Sequence, residues 1–227
     1  MPAAPVIQLR ELLKKKMPEL RLSLEELPSQ RQNHWATGVA QIDGRLHGGL
    51  PKGALTEMVA AQRGSGSALL MRALLAQAAA EKQIVALVDG RDSFDVTGVE
   101  EHILARLLWV RCHSAEESLK AADLLLRDQN VPLVLLDLIA NPPAQLRRIP
   151  ATTWFRFQRI VEQGSTICVV LTPQPMVSPA QARITLPPAK FSLNALEREP
   201  EELLEALELE VSDARRVREQ ERFRNSA

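Results

Sequence analysis

The chain has 227 residues, 45% hydrophobic and 25% charged, with 28 basic side chains against 28 acidic ones. That length supports one folded core with short arms, and the balance excludes a disordered chain, a membrane protein and the strongly basic field that grips nucleic acid without sequence preference. No basic leader precedes an apolar run at the start, and no stretch approaches the roughly 20 apolar residues of a membrane span, so the expected location is the cytoplasm.

Along the chain, Val6, Leu9, Leu12, Leu13, Met17 and Leu20 recur at three-to-four spacing among charged residues, which predicts an amphipathic helix. A polar linker over 28–33 separates it from the body, leaving the helix free to dock on its own domain or on a neighbour. A buried strand is predicted over 54–60, a glycine-rich turn over 63–67 and an Ala/Leu-rich helix over 68–82. Apolar strands follow over 84–88, 107–111, 131–136 and 166–171, of the continuous kind that parallel sheets bury on both faces. Asp89 and Asp137 close two of them. Ser114 followed by Glu117 has the spacing of a capping box and opens a helix over 114–127. A further helix is predicted over 154–163, with one more strand over 183–186. Leu207, Leu209 and Val211 alternate with charged residues as in an edge strand, and 215–224 is a highly charged end. The implied fold class is α/β: a mainly parallel sheet flanked by helices, with an N-terminal helix and a charged C-terminal arm. The expected divisions are 1–33, 34–190 and 191–227. In such sheets ligands gather at the carboxyl ends of the strands, where 64–67, Asp89 and Asp137 converge.

Few side chains suggest chemistry on their own. Cys112 and Cys168 lack metal-ligand spacing and read as buried free thiols. His34, His47, His102 and His113 have neither mutual metal spacing nor a catalytic partner, and read as surface or turn residues. Trp35, Trp109, Trp154 and Phe155 read as core, with an exposed hot spot at Trp154 and Phe155 as the alternative. Gly64-Ser65-Gly66 is either a backbone cradle for phosphate or a plain strand-to-helix turn. Asp137 is either a Mg²⁺ ligand or a strand-end residue bonded to local backbone. Arg147 and Arg148 are the candidates for touching DNA phosphates, against a simple solvated surface. Arg215, Arg216 and Arg218 could meet an acidic partner or phosphates.

Thr37-Gly38, then Ile42-Asp43, then Gly48-Gly49-Leu50-Pro51-Lys52-Gly53 and Glu57 resemble the entry to the RecA ATPase core, and the likeness runs through Asp89, Asp95 and Asp137 to about Leu186. A working phosphate loop of that family needs glycines for backbone amides, a lysine for the outer phosphates and a hydroxyl for Mg²⁺. Here Gly66-Ser67-Ala68 stands where the family has gly-lys-ser/thr, and no lysine lies between Lys52 and Lys82. The activating glutamate is replaced as well: the family places it two residues past the Asp89 position, where this chain has Arg91, which cannot act as a general base. The resemblance implies a degenerate nucleotide site at Gly64, Gly66, Ser67, Asp95 and Asp137, with no catalytic residue, no metal, no ATP or Mg²⁺ as cofactor and no ATPase activity. The family's two DNA-inserting loops correspond to 141–153 and 172–181, both short and rich in proline.

A short RecA-like chain with these losses is similar to the ImuA family, which accompanies an inactive polymerase-like protein, ImuB, and a catalytic polymerase in damage-induced mutagenesis. SulA, a cell-division inhibitor, is a more distant member of the same kind. The resemblance implies an SOS-type role in translesion synthesis, an ImuB-like polymerase homologue, RecA or a second copy of the chain as partner, weak or indirect DNA binding and no membrane. Two alternatives stand beside it: a divergent DNA-dependent ATPase using Lys52 or Lys82, and an inhibitor that poisons a filament.

Overall fold

In the computed structural model of the chain, residues 33–61, 64–188 and 198–213 are described. The predicted helix carrying Val6, Leu9, Leu12 and Leu13 and the arginines Arg215, Arg216 and Arg218 lie outside the described residues.

The body opens on a small antiparallel pair, β1 (His34–Trp35) and β2 (Leu50–Pro51), with helix α1 (Ala40–Arg45) between them. The Asp43 carboxylate fixes that entry, accepting hydrogen bonds from Thr37 N at 2.9 Å, Thr37 Oγ1 at 2.7 Å and Gly38 N at 3.2 Å. Gly49 has φ +117°, and a Cβ there would run into the Trp35 carbonyl, so glycine alone lets β2 lie against β1.

The rest alternates strand and helix: β3 (Ala54–Ala60), α2 (Ser67–Ala80), β4 (Val85–Asp89), α3 (Glu101–Leu104), β5 (Leu107–Arg111), α4 (Ala115–Asp128), β6 (Leu133–Asp137), α5 (Pro143–Leu146), α6 (Ala151–Val161), β7 (Ile167–Thr172), β8 (Ala182–Leu186), α7 (Pro200–Glu205) and β9 (Glu210–Asp213). The main sheet has seven strands in the order β5-β4-β6-β7-β3-β8-β9. All neighbours run parallel except β8 and β9, an antiparallel pair that places residues 210–213 in the core sheet.

Strand alternation divides the core in two. On β4, β6 and β7 the residues Val85, Leu87, Leu133, Leu135, Ile167, Val169 and Leu171 pack with α1 and α2, while their neighbours Ala86, Val88, Val134, Leu136, Cys168 and Val170 pack with α4 and α6. With both faces covered, those strands have no solvent side, and the unbroken apolar runs of the sequence follow from that. Each fully buried Leu or Val contributes about 1.5–3 kcal/mol. No helix among the described residues is long and apolar enough to cross a membrane.

Two sequence expectations need correction. Helix α6 begins at Ala151 rather than 154, since Pro150 at its N-cap leaves the following threonines free to enter the first turn, and the stretch over 141–153 also holds α5. The aromatic residues are not uniformly core: Trp35 and Trp154 are buried, Trp109 is partly exposed on the edge strand β5, and Phe155 is 53% exposed because it lies on the flank of α6 away from Trp154 and Phe157. Cys112 and Cys168 are buried free thiols as expected, and complete burial pushes the Cys168 thiol up to about 12.

Candidate functional site

At the carboxyl ends of β3, β4, β6 and β7 lies a cleft of about 520 Å³. The sheet order places these strands side by side, so the turns that follow them meet at one edge. The cleft brings together Gly64 and Ser67 from the glycine-rich turn, Asp95 from the loop after β4, and Asp137 at the end of β6. Gly66, the remaining residue expected there, is the N-cap of α2, with φ +91°; a Cβ there would meet the Leu207 side chain. Leu207, buried and arriving from the C-terminal segment, therefore backs the turn, a role its position in the sequence does not announce.

Helix α2 starts on a glycine and so has no side-chain cap. Ser65 is buried, and its Oγ has no hydrogen-bond partner among the described residues. The charges lining the cleft are Arg72, Asp95 and Asp137. Arg72 is already engaged, donating from Nη2 to Glu100 Oε1 at 2.9 Å. Among the described residues no lysine lines the cleft, and Ala68 stands on its wall with no hydroxyl.

The two strand-end aspartates sit side by side in register, Asp89 against Asp137, yet differ in their surroundings. Asp89 is buried and accepts hydrogen bonds from Arg91 N, Ser93 N, Ser93 Oγ, Phe94 N and Trp109 Nε1, so it shapes the loop after β4. Among the described residues Asp137 accepts only Ile139 N, at 2.9 Å. Burial pushes its carboxyl up to about 6, with the neighbouring Asp89 charge adding to the rise and the Ile139 amide opposing it. Of the two readings of Asp137, the bond to local backbone is present; no group of three or more metal-ligating side chains exists among the described residues. Asp95 is exposed on the rim, and the Thr97 side chain, followed by the Thr97 amide that donates to it at 2.8 Å, holds its carboxyl below the usual range.

Arg91 turns away from the cleft, donating from Nη1 to the His113 carbonyl at 2.8 Å. Arg147 and Arg148 are exposed at the end of α5, outside the cleft; Arg148 borders a separate groove beside the start of α4. The four histidines lie on the surface or in turns, His34 partly covered.

Glu57, named in the sequence only as part of the RecA-like entry pattern, has a role that the sequence reading did not assign. Fully buried on β3, it accepts Thr172 Oγ1 at 3.1 Å, Met176 N at 2.6 Å, Val177 N at 3.0 Å and Arg183 Nε at 2.8 Å. It fastens the loop between β7 and β8 to the sheet. A glutamate within an otherwise apolar strand was the available signal, since a buried charge demands partners.

The sequence matches no protein-family model and no curated protein. Among solved structures it is similar to the crystal structure of the RadB recombinase, with a TM-score of 0.52 and 18% identity over 68% of this chain and 84% of that one. Likeness at that identity speaks to architecture: the chain has the RecA-like fold.

Proposed function

We propose that this chain is a RecA-like accessory protein without ATPase chemistry, a cytoplasmic adaptor in damage-induced mutagenesis that links an assembly containing an ImuB-like polymerase homologue to RecA or DNA. The observation that carries the reading is a retained cleft whose lining, among the described residues, holds Asp95 and Asp137 but no lysine and, at position 68, no hydroxyl. Phosphate transfer depends on electrostatic stabilisation of the outer phosphates, and the loss of one such donor costs about 2.7–4 kcal/mol of transition-state stabilisation. Arg91, where the family has its activating glutamate, offers no base and is bonded elsewhere. A fold kept without its chemistry leaves surface as the means of action.

The rival ATPase reading requires a lysine from Lys52 or Lys82. Lys52 precedes β3, at the amino end of the strands, and Lys82 follows α2, whose 14 residues carry it about 21 Å along the helix axis from Ser67. Both are at the opposite edge of the sheet from the cleft. Weak or indirect DNA contact is supported by the loop over 173–181, which Glu57 holds down, with exposed Arg147 and Arg148 as the candidates for touching phosphate.

The test is a pull-down with purified RecA and a purified ImuB-type polymerase homologue, alongside calorimetry with ATP and Mg²⁺. Capture of at least one protein, with no heat of nucleotide binding, is the expected result. Binding of neither protein sinks the adaptor role, and ATP hydrolysis that disappears in D137A restores the enzyme reading.

A further inference from the structure

Asp89 and Asp137 pose a contrast in charge compensation. A carboxylate has room for about four hydrogen-bond donors. Asp89 receives five from its own loop and from Trp109, and needs nothing more. Asp137 receives one, from Ile139 N, and its second oxygen has no partner among the described residues. No cationic side chain of those residues forms an ion pair with it: Arg72, the basic group in the cleft lining, is held by Glu100. An incompletely paired carboxylate in the lining of a cleft attracts a cation.

We propose that the cleft is a socket for a long basic side chain, arginine or lysine, presented by a partner protein, with Asp137 as its counter-ion. This rests on the reading that the cleft no longer holds nucleotide phosphates. The walls suit such a guest. Leu69, Met71, Phe94, Val99 and Ile139 line the cleft and offer apolar surface to the methylene stem, with Asp137 in the same lining for the charged head. A space of about 520 Å³ takes an arginine with its flanking backbone. A bare divalent cation fits poorly, since it requires several oxygen ligands and no group of three metal-ligating side chains exists among the described residues.

The experiment is a titration of the ¹⁵N-labelled full chain with N-acetyl-arginine amide and, separately, with its neutral isostere N-acetyl-citrulline amide. The expected result is saturable shifts of the Ala68, Phe94 and Ile139 amides with arginine only, in the millimolar range, weakened tenfold or more in D137N. A second variant, S67K, supplies the cation within the chain and is expected to abolish the shifts. Equal response to citrulline, or no saturable shift in the unaltered chain, overturns the proposal. If R63A or removal of residues 214–227 raises the probe affinity tenfold, the chain fills its own socket and the partner reading falls. Addition of ATP and Mg²⁺ keeps the two levels apart: saturable shifts at Ala68 that depend on Asp137 would overturn the premise that nucleotide binding is lost, whereas silence with ATP together with silence with arginine overturns the socket alone.

Discussion

Asp137 and Glu57 are both carboxylates on interior strands, and what surrounds each decides whether it stabilises the fold. With its carboxyl raised from 3.8 to about 6, Asp137 holds a proton in the folded chain at pH values where the unfolded chain has lost it. Folding is therefore helped at low pH, and that help is lost as pH rises through about 6. At pH 7.5 the ionised group costs about 1–2 kcal/mol, less than the full shift implies because the cleft admits solvent. D137N keeps an oxygen for Ile139 N and sheds the charge, so urea unfolding is expected to show it more stable by about that amount at pH 7.5, with the gain vanishing near pH 4. Glu57 is the reverse case. Four donors surround it, one of them the Arg183 guanidinium at 2.8 Å, and E57Q leaves that partly buried cation without its counter-charge. The expected cost is about 3–5 kcal/mol by urea unfolding. Faster hydrogen exchange at Met176 and Val177 would mark release of the loop, and unchanged exchange there would show that Glu57 does not hold it.

At the scale of elements, legibility in the sequence followed the distance between partners. Strands β3 and β5 have the bounds that the sequence reading gave them, although β3 carries Glu57 in its middle and β5 is a half-exposed edge strand. Helix α4 starts where Ser114 marks it, and Ser114 Oγ accepts Glu117 N at 3.3 Å. The return half of the box is shifted by one residue, with the Glu117 carboxylate accepting His113 N at 2.8 Å. S114A is expected to cost about 1 kcal/mol in urea unfolding, with little change at the cleft, since the cap serves only this helix. Elements and groups that depend on distant partners were harder to see. The Glu57 hub joins residues more than a hundred positions apart, and no local spacing encodes it. The cleft itself was readable in outline, since Gly64, Ser67, Asp95 and Asp137 do meet; Arg72, which lines it and bonds Glu100, was not, because a helical arginine looks like any solvated one.

At the scale of the whole molecule, the C-terminal segment is structural as well as terminal. β9 closes the sheet on β8, and Leu204, Leu209 and Val211 pack against the same core as α1 and α2. Gln41 Nε2 on α1 donates to the carbonyls of Glu205 and Leu207, at 3.3 and 3.1 Å, tying the segment to the Thr37 to Asp43 entry. Leu207 then rests on Gly66, at the root of the turn that lines the cleft. Whatever pulls on this segment is therefore felt at the turn, because the turn has glycine at its crossing point and no side chain of its own to resist. Truncating the contact tests this coupling. L207A is expected to lose about 2–4 kcal/mol of stability, as for other buried leucines. Its effect on hydrogen exchange should be uneven: exchange at Ser65, Gly66 and Ser67 rises more than at the β4 and β6 amides. Uniform acceleration across the sheet would mean that Leu207 is ordinary core and that the cleft turn holds its shape without it.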